Sequence, residues 1–190
     1  MRFFKKKHIL PIKIYGNPVL RKKAIKVDQI DEKLISLIDS MIDTMYEADG
    51  VGLAAPQIGE SIRLVVLAVP YDEGKNILTS PGEAQLLPRM PLALINPEVQ
   101  PITEETSTQE EGCLSVPKIY AEVTRPTSIM LSAQLIDGQH INIECGGFLA
   151  RALQHEFDHL NGTLFVDRLS PLEKRKIKRK LELLKKGNKR

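Results

Sequence analysis

Between Leu34 and Tyr46 the apolar residues Leu34, Leu37, Ile38, Met41, Ile42, Met45 and Tyr46 fall three or four apart, which predicts a helix over about 31–48 with one apolar face. The methionines on that face read as core filler. The helix stops before Asp49-Gly50-Val51-Gly52, where two glycines close together let the backbone turn sharply and approach a ligand. Residues 62–69 are almost continuously apolar and predict a buried strand. The segment 70–91 that follows carries four prolines and reads as a loosely ordered surface insertion. From 128 to 145 the period becomes two: Ile129, Leu131, Ala133 and Leu135 share a face, Asp137-Gly138 makes the turn, and Ile141, Ile143 and Cys145 point inward on the return strand. Gly146-Gly147 ends this hairpin, a helix over 148–159 follows, and Asn161-Gly162 caps it. A last helix opens on Ser170-Pro171-Leu172-Glu173, a capping box with proline in the first turn, and its apolar stripe is Ile177, Leu181 and Leu184. Short strands beside a central helix, with a hairpin in place of alternating strand–helix–strand units, predict an α+β fold. Its expected form is antiparallel sheets packed around a central helix, with a C-terminal helix.

The 190 residues suit one core, and no repeat, low-complexity block or Gly/Ser linker marks another, so 1–190 reads as a single domain. A hydrophobic share of 42% argues against wholesale disorder. The longest apolar run, 64–69, falls far short of the roughly 20 residues that span a bilayer. The basic start is not followed by the apolar stretch of an export signal. Neither a membrane span nor secretion is therefore expected. Two cysteines are too few for a disulfide scaffold and point to a reducing cytosol or organelle matrix. The net charge of +3 hides an asymmetry. Ten Lys/Arg against two Glu give residues 173–190 a charge of +8, residues 1–7 add +4, and the body between is left at −9. Such a basic helix is either a solvated face or a surface for a phosphate-bearing partner.

Two of the four histidines stand in His155-Glu156-Phe157-Asp158-His159. Four apart on a helix they share a face and can bind one metal ion, with Glu156 about 100° round beside them. A catalytic site of this kind needs a third protein ligand. Phe165 occupies the place where a metzincin would have its next histidine, and the acids downstream, Glu173 and Glu182, fall in a capping turn and a lysine-rich helix. Cys113, in Gln109-Glu110-Glu111-Gly112-Cys113-Leu114-Ser115, is the better candidate, because it lies outside any strong period and has no packing reason to be there. Cys145 shares parity with Ile141 and Ile143 and reads as a small core hydrophobe. His8 and His140 read as surface residues. The residues alone leave open a Cys113 nucleophile paired with histidine, a zinc peptidase acting on internal bonds, and a non-catalytic zinc module that binds RNA.

The segments Gly50-Val51-Gly52-Leu53-Ala54-Ala55-Pro56-Gln57, Glu111-Gly112-Cys113-Leu114-Ser115 and Gln154-His155-Glu156-Phe157-Asp158-His159, in this order, resemble the three motifs of the peptide deformylase family. Tyr15-Gly16-Asn17-Pro18-Val19-Leu20-Arg21 and Gly162-Thr163-Leu164-Phe165-Val166-Asp167 are similar to it as well, so the resemblance covers most of 14–168. The departures are the 70–91 insertion, Arg151 in the metal helix and the basic tail. The resemblance implies a metal-dependent hydrolase, set in a bacterial cytoplasm, that removes the formyl group from the N-terminal formyl-methionine of new polypeptides and releases formate. It implies Cys113, His155 and His159 as metal ligands, with Fe2+ as the working ion and Zn2+ as the alternative. Two imidazoles and one thiolate leave a divalent ion at a formal +1, so a base beside it gains importance, and Glu156 is that base. The Gln57 side-chain amide and the Leu114 backbone N–H are the implied oxyanion donors. The backbones of Val51, Gly52 and Gly112 would hold the substrate as an added strand. Arg151, one turn before His155, is expected at the substrate cleft, paired with an acid such as Glu111. The basic helix over 170–186 is expected to contact the ribosome.

Overall fold

The computed structural model describes residues 7–72 and 78–187. The first long helix, α1 (Glu32–Glu47), is N-capped by Asp31, whose carboxylate accepts the Leu34 N–H at 2.8 Å, and it buries Leu34, Ile38, Met41 and Met45. β1 (Gly52–Ala54) and the short α2 (Ala55–Ile58) follow, then β2 (Leu64–Leu67). After α3 (Pro81–Leu86) come β3 (Leu92–Pro101), β4 (Thr106–Cys113), β5 (Val116–Pro126), β6 (Ile129–Gln134) and β7 (His140–Cys145). The chain ends in α4 (Gly147–Leu160), α5 (Phe165–Arg168) and α6 (Pro171–Gly187).

Five strands form an antiparallel sheet in the order β1-β2-β3-β6-β7, and β4 and β5 make a separate antiparallel ribbon. β2 explains why its sequence is continuously apolar. Leu64 and Val66 face the cluster that α1 fills with Met41 and Met45, while Val65 and Leu67 face the opposite cluster, filled by Leu149, Ala150 and Leu153 of α4. α4 thus lies against one face of the sheet and α1 against the other. The hairpin registers as its alternation predicts, with Ile129 opposite Cys145 and Ala133 opposite Ile141.

Three expectations need correction. The segment 70–91 is not loose throughout: Ser80 caps α3, a 3-10 turn continues over Leu87–Arg89, and Leu86 and Leu87 enter the core beneath α4. Ser80-Pro81-Gly82-Glu83 carries the same start signal as Ser170-Pro171-Leu172-Glu173, and the count of prolines obscured it. Residues 73–77 of this segment lie outside the described residues. The ribbon β4–β5 was unexpected because the outward side chains of β4 are polar and its pairing is set by β5, whose Ile119, Ala121 and Val123 face a third cluster. The ladder of the 62–69 strand spans only Leu64–Leu67. In α6, Ile177, Leu181 and Leu184 pack on the ribbon cluster with Leu164, Phe165 and Leu169, which places the apolar stripe against the body and the lysines in water. The basic residues before Lys7 and after Gly187 lie outside the described residues. No described helix is long and apolar enough to cross a membrane.

Candidate active site

α4 is fixed at its start by the segment before β3. Gly146 donates its N–H to Ser80 Oγ at 2.8 Å. Gly147 stands at φ +55° with Glu83 so close that a Cβ there would lie 2.4 Å from Oε1. A buried carboxylate at a helix N-terminus complements the helix dipole. His155, Glu156 and His159 are carried on the inner turns of this helix, and Cys113 reaches them from the end of β4.

The ligand atoms of Cys113, His155 and His159 lie within 4.8 Å of one another. Cys113 Sγ stands 3.2 Å from His159 Nε2. His155 Nδ1 lies 3.0 Å from Glu111 Oε2. Burial pulls the Glu111 carboxyl upward, but hydrogen bonds from His155 and Arg125 outweigh it and hold the group at about 2. Glu111 is therefore an acceptor only, so His155 Nδ1 donates to it, which fixes the ring with Nε2 on the side away from Glu111. Burial, reinforced by the charge of His155, keeps His159 well below the usual histidine range, in the neutral form that ligates metals. His155 behaves oppositely: burial alone would lower it, and the contacts to Cys113 and Glu111 raise it well above its ordinary value. A thiolate and two imidazoles are donors for a divalent transition ion.

Glu156 is buried over Gly52, where an added Cβ would come within 2.5 Å of its Oε1. Its Oε2 has no hydrogen-bond partner. Burial pushes its carboxyl up to about 7. Gln57 is 1% exposed, and its Oε1 accepts the Ala54 N–H at 2.8 Å. That leaves the NH2 end pointing at Cys113 Sγ, 3.5 Å away, and at Ser115 Oγ, 3.3 Å away.

A cleft of about 530 Å³ opens on these groups. Val51, Gly52, Gln57, Gly112, Cys113, Leu114, Arg151, His155 and Glu156 all line it, and His159 sits buried behind Cys113. Arg151 does pair with Glu111, at 2.7 Å, but from within the wall: its remaining bonds go to Val123 O, Ser107 O and Ser107 Oγ. Sequence reasoning missed Phe148, Tyr120 and Lys118, which line the cleft, and Arg125, buried behind it against Glu111. Arg125 had a signal: it continues the inward parity of Ile119, Ala121 and Val123, an unusual place for a charge. His8 and His140 are exposed, as expected, and Cys145 is fully buried.

Known proteins share this sequence and fold. The family model described as polypeptide deformylase matches residues 9–175. A peptide deformylase of Thermotoga maritima is 44% identical over 170 residues, 90% of this chain and 93% of its own. The crystal structure of the Thermotoga maritima enzyme superposes with a TM-score of 0.72 at 45% identity, covering 86% of this chain and 99% of that one. A crystal structure of Arabidopsis thaliana peptide deformylase 1B gives a TM-score of 0.80 at 37% identity, covering 94% and 91%. With the motifs in sequence, the fold in space and the relatives along nearly the whole chain in agreement, this protein belongs to the polypeptide deformylase family.

Proposed function

We propose that Cys113, His155 and His159 hold the catalytic ion of this deformylase, that Glu156 moves the proton, and that Gln57 and Leu114 stabilise the oxyanion. The reaction of the family is hydrolysis of the formyl group from N-terminal formyl-methionine of newly made polypeptides. The single observation that carries the assignment is the unpartnered Glu156 Oε2 beside a thiol and two imidazoles gathered within 4.8 Å. When bound, the ion supplies Lewis acidity toward the attacking water and the formyl oxygen. Glu156 takes the proton of that water and returns it to the amine that leaves, a task suited to a carboxyl whose Oε2 has no other partner. Gln57 presents its NH2 end to the oxyanion because Ala54 occupies the carbonyl end. The register shift between Glu111 and Cys113 takes Gly112 out of the ribbon ladder, which frees its backbone for an incoming peptide. With Val51 and Gly52 across the cleft, the peptide lies as an added strand, and Arg151 shapes the wall beside it.

The thiolate and imidazole donors suit Fe2+, the working ion in our reading; Zn2+ would bind more tightly in the ordinary affinity order, so occupancy follows supply. The whole chain, 1–190, acts as one catalytic domain in a reducing, bacterial-type cytoplasm or organelle matrix. The exposed lysines of α6 face away from the packed stripe, and in this reading they meet ribosomal phosphates where the substrate emerges. The test is anaerobic purification with metal analysis and a formate assay on formyl-Met peptides. Cys113→Ala should lose metal and activity together while Cys145→Ala keeps both; the reverse result would overturn the ligand assignment.

A further inference from the structure

The three ligands come from two bodies of structure. Cys113 ends β4 of the ribbon, whereas His155 and His159 ride on α4, so the spacing of sulfur and ring nitrogens depends on how ribbon and helix are held together. Side chains do the holding. Arg125 of β5 is 4% exposed, and its guanidinium reaches both bodies at once. Nε and Nη2 donate to the two oxygens of Glu111 at 2.7 and 2.9 Å, and Nη1 donates to Asp158 Oδ2 at 2.9 Å. Glu111 lies two residues before Cys113 and is the acceptor for His155 Nδ1. Asp158 lies on α4 next to His159, and its carboxylate is further held by Arg168. A planar fork of five donors can engage two carboxylates in fixed directions, which an ammonium group cannot do.

We propose that Arg125 is a positioning residue of the metal site: by strapping Glu111 of β4 to Asp158 of α4 it sets the distance between the Cys113 sulfur and the imidazole nitrogens, and through Glu111 it holds the ring of His155. The proposal rests on the ligand assignment above. Arg125 touches neither the substrate nor the ligand atoms, so its loss should loosen the ion and lower kcat while leaving KM unchanged. A purely structural arginine would only lower stability. Arg63 supplies that comparison, since it is equally buried and meets the outer side of α4, over Phe157 and at the cap residue Asn161, with Pro97 O and Glu98 as its other partners, but reaches neither Glu111 nor Asp158.

The experiment measures Zn2+ affinity by chelator competition, and the visible spectrum of the Co2+-loaded enzyme, in Arg125→Lys, Asp158→Asn, Arg63→Met and Cys113→Ala. Arg125→Lys and Asp158→Asn should each weaken Zn2+ binding by about 10- to 100-fold, as loss of groups that orient ligands does. Both should also shift the Co2+ bands and reduce kcat at constant KM. Arg63→Met should lower the melting temperature without moving the Zn2+ affinity. Wild-type affinity and spectrum in the folded Arg125→Lys and Asp158→Asn proteins overturn the proposal. An equal loss of affinity in Arg63→Met overturns it too, because the effect would then be one of general stability. Asp158→Asn is nearly isosteric and carries the test alone if Arg125→Lys does not fold. Metal retained in Cys113→Ala overturns the ligand assignment itself, whereas metal lost there with Arg125→Lys and Asp158→Asn unaffected overturns only the strap.

Discussion

α4 and α6 are both amphipathic helices, of 14 and 17 residues, and they dispose their charges in opposite ways. The buried side of α4 includes Arg151, Gln154, Glu156, Asp158 and His159 beside Leu149 and Leu153. In α6 Ile177 is the buried residue and the lysines and arginines face water. Burying a charge costs free energy unless it is paired and hydrogen-bonded. The network of Arg125, Arg151, Glu111 and Asp158 meets that condition for its charges, whereas Glu156 Oε2 and His159 Nδ1 stay unpaired. A helix that only had to pack would resemble α6; what α4 keeps inside is chemistry.

The sharpest way to break this contrast is Glu156→Gln. It removes the unpaired charge while keeping shape, so metal content and fold should persist while kcat falls by about 10²- to 10⁴-fold, the usual weight of a general acid/base. Formate release by the metal-loaded variant is the measurement, and near wild-type turnover would return Glu156 to the class of structural polar residues. In α6 the large effect should come from the apolar side. Ile177→Ala should cost about 2–5 kcal/mol of unfolding free energy, read from denaturant melts, because it empties a site in the ribbon cluster. A loss below that range would mean that α6 is only loosely attached.

The cost of ionising a group away from water can be tested at Cys145, on the strand that leads into α4. Burial, helped by the charges of Glu83 and Glu144, pushes this thiol up to about 12 from an ordinary 9.0. Between those values the unfolded chain binds fewer protons than the native one, so this thiol makes stability fall as pH rises from 9.0 toward about 12. Cys145→Ala should flatten the melting temperature against pH over that window, and an unchanged slope would count against the burial effect. The smallest effect belongs to the outer face of α6. Replacing exposed Lys178 and Lys180 by Gln should alter stability by no more than about 0.5 kcal/mol and leave turnover of short formyl peptides unchanged. Salt-sensitive binding to ribosomes should weaken in the same variant, as a sedimentation assay would show.

Much of this was legible from residue order. The i,i+4 histidines, the glycine-flanked Cys113 and the parity of the hairpin each state a local rule that tertiary structure obeys. Cys113 was singled out for lacking a packing reason, and there the structure differs: it ends β4, opposite Val116, and packs against the ribbon cluster while meeting the histidines. What escaped depended on partners far away in sequence. β4 has polar outward residues and becomes a strand because β5 pairs with it. Arg125 is an oddity of parity until Glu111 and Asp158, 14 and 33 residues away, are seen around it. In 70–91 a start signal at Ser80 was present, but its prolines suggested breakage where they mark the first turn of α3 and the 3-10 turn after it.

Gly52 gives the floor of the cleft an unusual permanence. Any other residue there adds a Cβ that lands 2.5 Å from the Glu156 carboxylate, so each substitution displaces that side chain. An inhibitor resting on that bare stretch of backbone would face a surface that mutation cannot reshape while the enzyme keeps its turnover, and escape from such a compound would have to come from the rim, at Tyr120 or Phe148.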